Sequence, residues 1–261
     1  MRGPKSVRLA LLQMQVAAGD IEANLARIDA AAERASAGGA ALLVAPELAL
    51  TGYGAGEAIR DLAEPADGPQ VQRLQAMARR HRIALVAGFA ERAEARVFNS
   101  LAFVEGEGAP KVYRKTHLYA DYERALFTPG KPQATLHAFH GLTLGFLICY
   151  DVEFPENVRR LARAGAELVL VPTALPQGPF AAFIATSVVP VRAFENQVFV
   201  AYANHAGRDD RFAYAGLSRV AGPDGASLTA ASDDREVLLF ADIDPGAYEA
   251  SRHANTYLAD L

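Results

Sequence analysis

A chain of 261 residues, 51% hydrophobic and 21% charged, is long enough to bury roughly three quarters of its unfolded surface, so it needs no disulfide or metal staple. Its single cysteine excludes an intramolecular disulfide, and a net charge of -4 with scattered Lys and Arg leaves no electrostatic footprint for nucleic acid or an anionic membrane surface. No segment approaches the roughly 20 apolar residues that span a bilayer, so neither a membrane nor a nucleic-acid partner is expected.

At the N-terminus, Arg2, Lys5 and Arg8 flank the apolar residues 9–12 and imitate the start of a signal peptide. Gln13 and Gln15 interrupt that run too early, so a first β-strand and a cytoplasmic location are expected. Asp20 is placed to cap a helix with Ile21, Leu25, Ile28 and Ala32 on one face, closed by Gly38-Gly39. A short strand over 41–45 follows and ends in Pro46-Glu47. The glycines of Gly52-Tyr53-Gly54-Ala55-Gly56 fit neither a phosphate loop nor a dinucleotide fingerprint, and predict a flexible loop. A second helix starts at Gly68-Pro69, turns Val71, Leu74 and Met77 inward and runs into a strand over 83–89. Strands over 97–104 and 111–114 meet across Gly106 and Gly108 as a hairpin, and the second leads straight into Lys115.

The second half predicts a strand over 142–148, a helix over 155–164, a strand over 167–171 and a helix over 180–196. Strands over 198–203 and 216–220 follow, then the turn Gly222-Pro223-Asp224-Gly225 and a strand over 236–243. His137 and His140 precede a strand with no carboxylate or cysteine at ligand spacing, so a solvated hairpin is expected there, with no metal. Ser218 lacks the closing glycine of a nucleophile elbow. Nothing calls for a cofactor. No linker divides the pattern, so residues 1–261 are expected to form one domain, and interleaved strands and helices predict the α/β class.

Three strands end in reactive side chains: Glu47, Lys115 and Cys149. A thiol just before the helix-starting Phe154-Pro155-Glu156 is expected to face unpaired N–H groups and a positive helix end, which favour thiolate. Free cysteine is more often plain core, but the polar, turn-forming run directly after Cys149 sets this one apart. If the strands converge, a thiol can attack a carbonyl carbon while a carboxylate shuttles protons, which is acyl transfer through a thioester. Glu47 would take the thiol proton and return it to the leaving nitrogen. Lys115, with a backbone N–H near Tyr150, would hold the oxyanion, a role worth about 3–4 kcal/mol per donor.

Pro46-Glu47-Leu48 with Thr51-Gly52-Tyr53, then Tyr113-Arg114-Lys115-Thr116-His117-Leu118, then Ile148-Cys149-Tyr150-Asp151, resemble in content and order the signatures of the carbon–nitrogen hydrolase (nitrilase) superfamily. The similarity runs from Val7 to about Asp244 and takes in Gln13, Asn24, Phe127-Thr128-Pro129-Gly130 and Arg192-Ala193-Phe194-Glu195-Asn196. The resemblance implies a four-layer α-β-β-α sandwich with Glu47, Lys115 and Cys149 as catalytic residues at one end. It adds Glu123, ahead of the Phe-x-Pro-Gly element, as a second glutamate that positions the substrate nitrogen or, as a neighbouring like charge, makes Glu47 a stronger base. His117 is expected to be structural.

Cys149-Tyr150-Asp151 is similar to amidase-type members, whereas nitrilases usually place Trp-Glu after the cysteine and carbamoylases an Asn. With Pro172-Thr173-Ala174 and Tyr202-Ala203-Asn204, it most resembles the R-stereoselective amidase-like branch. That implies a small primary amide as substrate, a pocket lined by Tyr53, Tyr119, Tyr150, Thr173 and Ala174, and a homodimer or larger assembly using apolar surface at Phe180, Phe183 and Ile184. A nitrile, a carbamoyl compound or an ω-amide of a dicarboxylate stays open as substrate, the last using Arg159 or Arg192 to bind the carboxylate. A silent scaffold is the distant alternative, and an intact Glu47, Lys115 and Cys149 set argues against it.

Overall fold

Strands that read as unbroken apolar runs belong between two covering layers, because each face must be hidden from water. The computed structural model, which describes residues 6–261, places them so. One mixed sheet has the order β12-β1-β2-β3-β4-β5 and contains β1 (Val7–Gln13), β2 (Leu42–Val44), β3 (Ala84–Ala93), β4 (Arg96–Val104), β5 (Lys111–Arg114) and β12 (Val237–Ile243). The other has the order β11-β10-β9-β8-β7-β6 and contains β6 (Leu136–Phe139), β7 (Leu142–Phe146), β8 (Leu168–Pro172), β9 (Phe199–Ala203), β10 (Arg219–Ala221) and β11 (Ser227–Ala230).

Side-chain alternation assigns the layers. Leu9 and Leu11 of β1, Leu42 and Val44 of β2 and Val86 of β3 share a buried core with Phe146, Leu170 and Phe199 of the other sheet. The opposite residues Ala10, Leu12, Leu43, Leu85 and Ala87 pack on Leu25 and Ile28 of α1 (Ile21–Ala37) and on Leu74 and Met77. After the short α2 (Ala58–Leu62), α3 (Pro69–His81) supplies that second pair. Following α4 (Ala120–Leu126) come α5 (Pro155–Arg163), α6 (Ala181–Phe183) and α7 (Val189–Asn196), of which α7 packs on β9 and β10 and α5 packs beside α7 with Leu161 against Gly145 of β7, and then α8 (Glu249–Ala254). The result is the four-layer α-β-β-α sandwich, an α/β fold.

Local signals account for most boundaries. Asp20 caps α1, its carboxylate accepting from the Ala23 N–H at 3.0 Å, and the turn between β4 and β5 uses positive φ at Gly106 and Gly108. Arg8 lies in β1 and pairs with Asp242 of β12, while Arg2 and Lys5 lie outside the described residues. His137 sits on β6, in a hairpin with β7 that turns at His140.

Some expectations need correction. The helix over 180–196 is interrupted by a π turn (Ile184–Val188), because Pro190 has no N–H to give and the hydrogen-bond ladder widens ahead of it. Residues 52–56 are no loose loop: Tyr53 is buried in a 3-10 turn, and a Cβ on Gly54 would come within 2.1 Å of the Asp209 carboxylate. The strand over 216–220 is displaced to Arg219–Ala221. Among the described residues no helix is long and apolar enough to cross a membrane.

Candidate active site

Glu47 lies just past the end of β2, where the backbone runs hard against β3. A Cβ at Gly88 would stand 2.1 Å from the Leu48 nitrogen and 2.7 Å from Glu47 Cα, so only glycine lets the two segments touch. Gly88 N–H donates to the Pro46 carbonyl at 3.0 Å, and Leu50 N–H donates to the Gly88 carbonyl at 3.2 Å. From the other sheet, His205 reaches the Glu47 carbonyl at 2.6 Å. Burial lowers the proton affinity of that imidazole, so the ring is neutral and Nε2–H is the donor.

The Glu47 carboxylate is fully buried and used asymmetrically. Oε1 accepts from Asn99 Nδ2 at 2.6 Å and from Lys115 Nζ at 2.7 Å, while Oε2 has no hydrogen-bond partner among the described residues. An orphaned buried carboxylate oxygen is costly in a resting fold and is the atom left free to take a proton.

Lys115 follows β5 directly. Its N–H donates to the Asn99 carbonyl at 2.8 Å, its carbonyl accepts from Gly130 N–H at 2.7 Å, and Thr128 N–H donates to the Val97 carbonyl at 2.7 Å. The Phe127-Thr128-Pro129-Gly130 element is thus a clasp on the strand end that carries the lysine. Its ammonium bridges Glu47 Oε1 and, at 2.6 Å, Glu123 Oε1, with all three side chains inaccessible to solvent. Burial opposes the charge, but Glu123 and Glu47 outweigh it, and the Lys115 proton affinity lies well above that of a free lysine.

Glu123 comes from α4, an element the sequence did not mark. Tyr53 Oη donates to its Oε1 at 3.0 Å and Tyr119 N–H to its Oε2 at 2.8 Å. Burial, opposed by Lys115 and reinforced by Glu47, leaves this carboxyl pushed up to about 7. The like-charge repulsion expected between the two glutamates therefore shows at Glu123. The folded protein keeps this proton up to about pH 7, whereas an unfolded glutamate releases it near 4.5. That stabilising contribution is complete below the lower value and lost as pH rises through the upper one. Between pH 5.5 and 8 the melting temperature should fall more steeply for the wild type than for Glu123→Gln, and equal slopes in thermal scans would refute the assignment.

Cys149 follows β7 with φ of 45°, a left-handed conformation that costs a non-glycine residue about 1 kcal/mol or more. Asp151 supports it. The buried Asp151 carboxylate accepts from Ile148 N–H at 3.2 Å, from Tyr113 Oη at 2.9 Å, from Thr116 Oγ1 at 2.7 Å and from His117 N–H at 2.9 Å. One side chain thereby ties the cysteine turn of one sheet to the lysine strand of the other. The thiol's expected tilt toward thiolate needs correction. Only a single 3-10 turn (Cys149–Glu153) follows it, and α5 starts later, at Pro155. Burial, then Glu47, raises its proton affinity well above that of a free cysteine, against a smaller opposing pull from Lys115 and the Ala174 N–H. Burial thus favours the protonated thiol over the thiolate.

Cys149 lies on a cavity of about 450 Å³ lined by Tyr53, Tyr119, Tyr150 and Ala174, together with Glu153 and the apolar stretch that includes Phe180 and Ile184. Thr173 does not line it; the residue is fully buried and its hydroxyl donates to the Val171 carbonyl at 3.0 Å. Nor does Arg159 or Arg192. Arg192 is spent on the Val152 and Glu153 carbonyls, at 3.0 and 2.8 Å, and on Glu195. His117 stacks on Phe154 with ring centroids 4.0 Å apart, a structural placement. Sequence reasoning passed over Asn99, His205 and the supporting role of Asp151, since polar residues that serve a partner far along the chain have no local signature.

Comparison with known proteins adds relatives to this geometry. A family model described as "Carbon-nitrogen hydrolase" matches residues 8–253. A Pseudomonas protegens protein named "Hydrolase in pqqF 5'region" is 42% identical across 99% of this chain and 90% of its own length. An "(R)-stereoselective amidase" from Pseudomonas sp is 38% identical across 97% of this chain and 91% of its own. The crystal structure of an amidase from Nesterenkonia sp. superposes with a TM-score of 0.87 at 35% identity, covering 100% of this chain and 95% of that one. A variant of the Nesterenkonia amidase, at TM-score 0.86 and 35% identity over 100% of this chain and 98% of its own, carries the acetamide moiety of fluoroacetamide on its active-site cysteine.

Proposed function

The chain belongs to the carbon–nitrogen hydrolase family, and from that premise we propose that it hydrolyses small primary amides to ammonia and a carboxylic acid through a thioester on Cys149. The observation that carries this reading is the unpartnered Oε2 of Glu47, set among a protonated thiol and an ammonium that already holds the other oxygen. Glu47 takes the Cys149 proton as sulfur attacks the amide carbon, and the oxyanion is stabilised by Lys115 and the Tyr150 N–H. The protonated Glu47 then delivers its proton to the nitrogen, ammonia leaves and the thioester remains. Water enters, Glu47 takes one of its protons, the hydroxyl adds to the acyl carbon, and the thiol departs with the proton returned. Glu123 holds Lys115 and orients the substrate nitrogen.

The amide relatives support this substrate class over nitriles, and a cavity lined, among the described residues, by no cationic side chain disfavours the ω-amide of a dicarboxylate. A panel of small primary amides should release ammonia and leave a transient acyl mass on Cys149, while matched nitriles give little of either. Faster nitrile than amide turnover would overturn the reading. A chiral pocket that holds the acyl group beside Cys149 should also prefer one hand of a chiral amide by about tenfold or more.

Self-association fits the apolar side chains beside the cavity mouth, where Phe180 is 71% and Phe183 61% exposed. Light scattering should give a mass that is a multiple of 27.8 kDa, and a monomer at micromolar concentration would count against assembly. A cytoplasmic location, which keeps a nucleophilic thiol reduced, completes the proposal and is testable by cell fractionation.

A further inference from the structure

Among the described residues, Glu153 is the one charged residue lining the cavity that Cys149 shares with Tyr53, Tyr119 and Tyr150. Among the described residues its carboxylate makes no hydrogen bond and no ion pair; the nearby Arg192 guanidinium is turned to the Glu153 backbone carbonyl and to Glu195 instead. A half-buried carboxylate without a partner is uncommon, since burial without compensation disfavours the charge. Elsewhere in the site every buried carboxylate, that of Glu47, of Glu123 and of Asp151, has donors from the chain. The local charge points the same way. The ammonium of Lys115 is held by Glu47 and Glu123, so it makes no ion pair with Glu153 and acts on it only at a distance.

We propose that Glu153 is a specificity-determining residue that binds a protonated amine on the acyl part of the substrate, so that the preferred substrates are amino-acid amides and related amino amides. The inference rests on the amidase reading and narrows it. An ammonium supplies what the carboxylate lacks, a charge-assisted hydrogen bond in a cavity partly shielded from water. The tyrosine rings lining the same space add a favourable surface for a cation. A second fixed point beside the acyl carbon at Cys149 also gives the pocket a basis for telling enantiomers apart. By the same logic an anionic acyl group meets repulsion here. Burial raises the proton affinity of Glu153, with Lys115 and Arg192 opposing, so a cationic ligand would additionally favour its ionised form.

The test compares three amides at pH 7: alaninamide, its uncharged isostere isobutyramide, and the anionic succinamate. The wild type should favour alaninamide over isobutyramide by about tenfold or more in kcat/KM and turn over succinamate slowest. In Glu153→Gln the alaninamide-to-isobutyramide ratio should collapse by about tenfold, mostly through KM, and Glu153→Asp should restore part of it. A wild-type ratio near one, or an unchanged ratio in Glu153→Gln, overturns the assignment to Glu153 while leaving the amidase reading intact. The wild-type ratio decides even if the Gln variant folds poorly. Ammonia from none of the three would overturn the amidase reading and this assignment with it.

Discussion

Cys149→Ala should slow amide turnover by on the order of 10⁴-fold or more while leaving the circular dichroism spectrum unchanged. The chemistry has no substitute nucleophile, because this is the chain's single cysteine. The fold has little to lose. Alanine meets the same positive φ that cysteine already accepts at 45°, so no new backbone strain enters, and the buried thiol that is lost is a single atom at the edge of a cavity, so little packing goes with it. The hydrogen bonds that hold the turn converge on Asp151 and survive the change. Ammonia release retained above about one part in a hundred, from protein with a native spectrum, would remove Cys149 from the mechanism.

Glu47→Gln should be nearly as damaging, by about 10³-fold, and should fail at a definite step. The glutamine carbonyl can still accept from Asn99 and Lys115, so geometry is kept at the oxygen that has partners. What changes is the free position, which becomes an amide that cannot take a proton. The thiol, still kept protonated by burial, then has no base when an amide arrives. Rapid-quench mass spectrometry should find no acyl adduct from an amide. Iodoacetamide should still label Cys149, because removing the glutamate charge makes that thiol easier to ionise. Normal adduct formation followed by slow release would instead confine Glu47 to the hydrolysis of the thioester.

The layers were legible because the strands advertise them. Residues 9–12 and 42–44 are apolar on consecutive positions, which only a sheet covered on both faces can use. Glu47, Lys115 and Cys149 were legible for the same reason in reverse, as reactive side chains standing where apolar runs stop. Glu123 was harder, since α4 is a single short helix entered through a positive φ at Ala120. β11 escaped notice because it is a mostly exposed edge strand without alternation. The ionisation of Cys149 was misjudged on an argument that was sound but outweighed: helix ends act over one turn, whereas full burial beside a carboxylate acts on the thiol directly. Thr173 went astray because polarity says nothing about which way a hydroxyl turns.

β1 pairs with β12 along its whole length, Val7 opposite Ile243 and Gln13 opposite Val237. A chain emerging from the ribosome therefore holds β1 with one bare edge until residues 237–243 have been made. β2 can cover only the other side. For most of synthesis that edge offers unpaired amides and carbonyls to any neighbouring nascent chain, a hazard that ends when the last strand arrives. Completion of the first sheet is in this sense a timer set by translation, and it closes after every residue of the candidate site has already been synthesised.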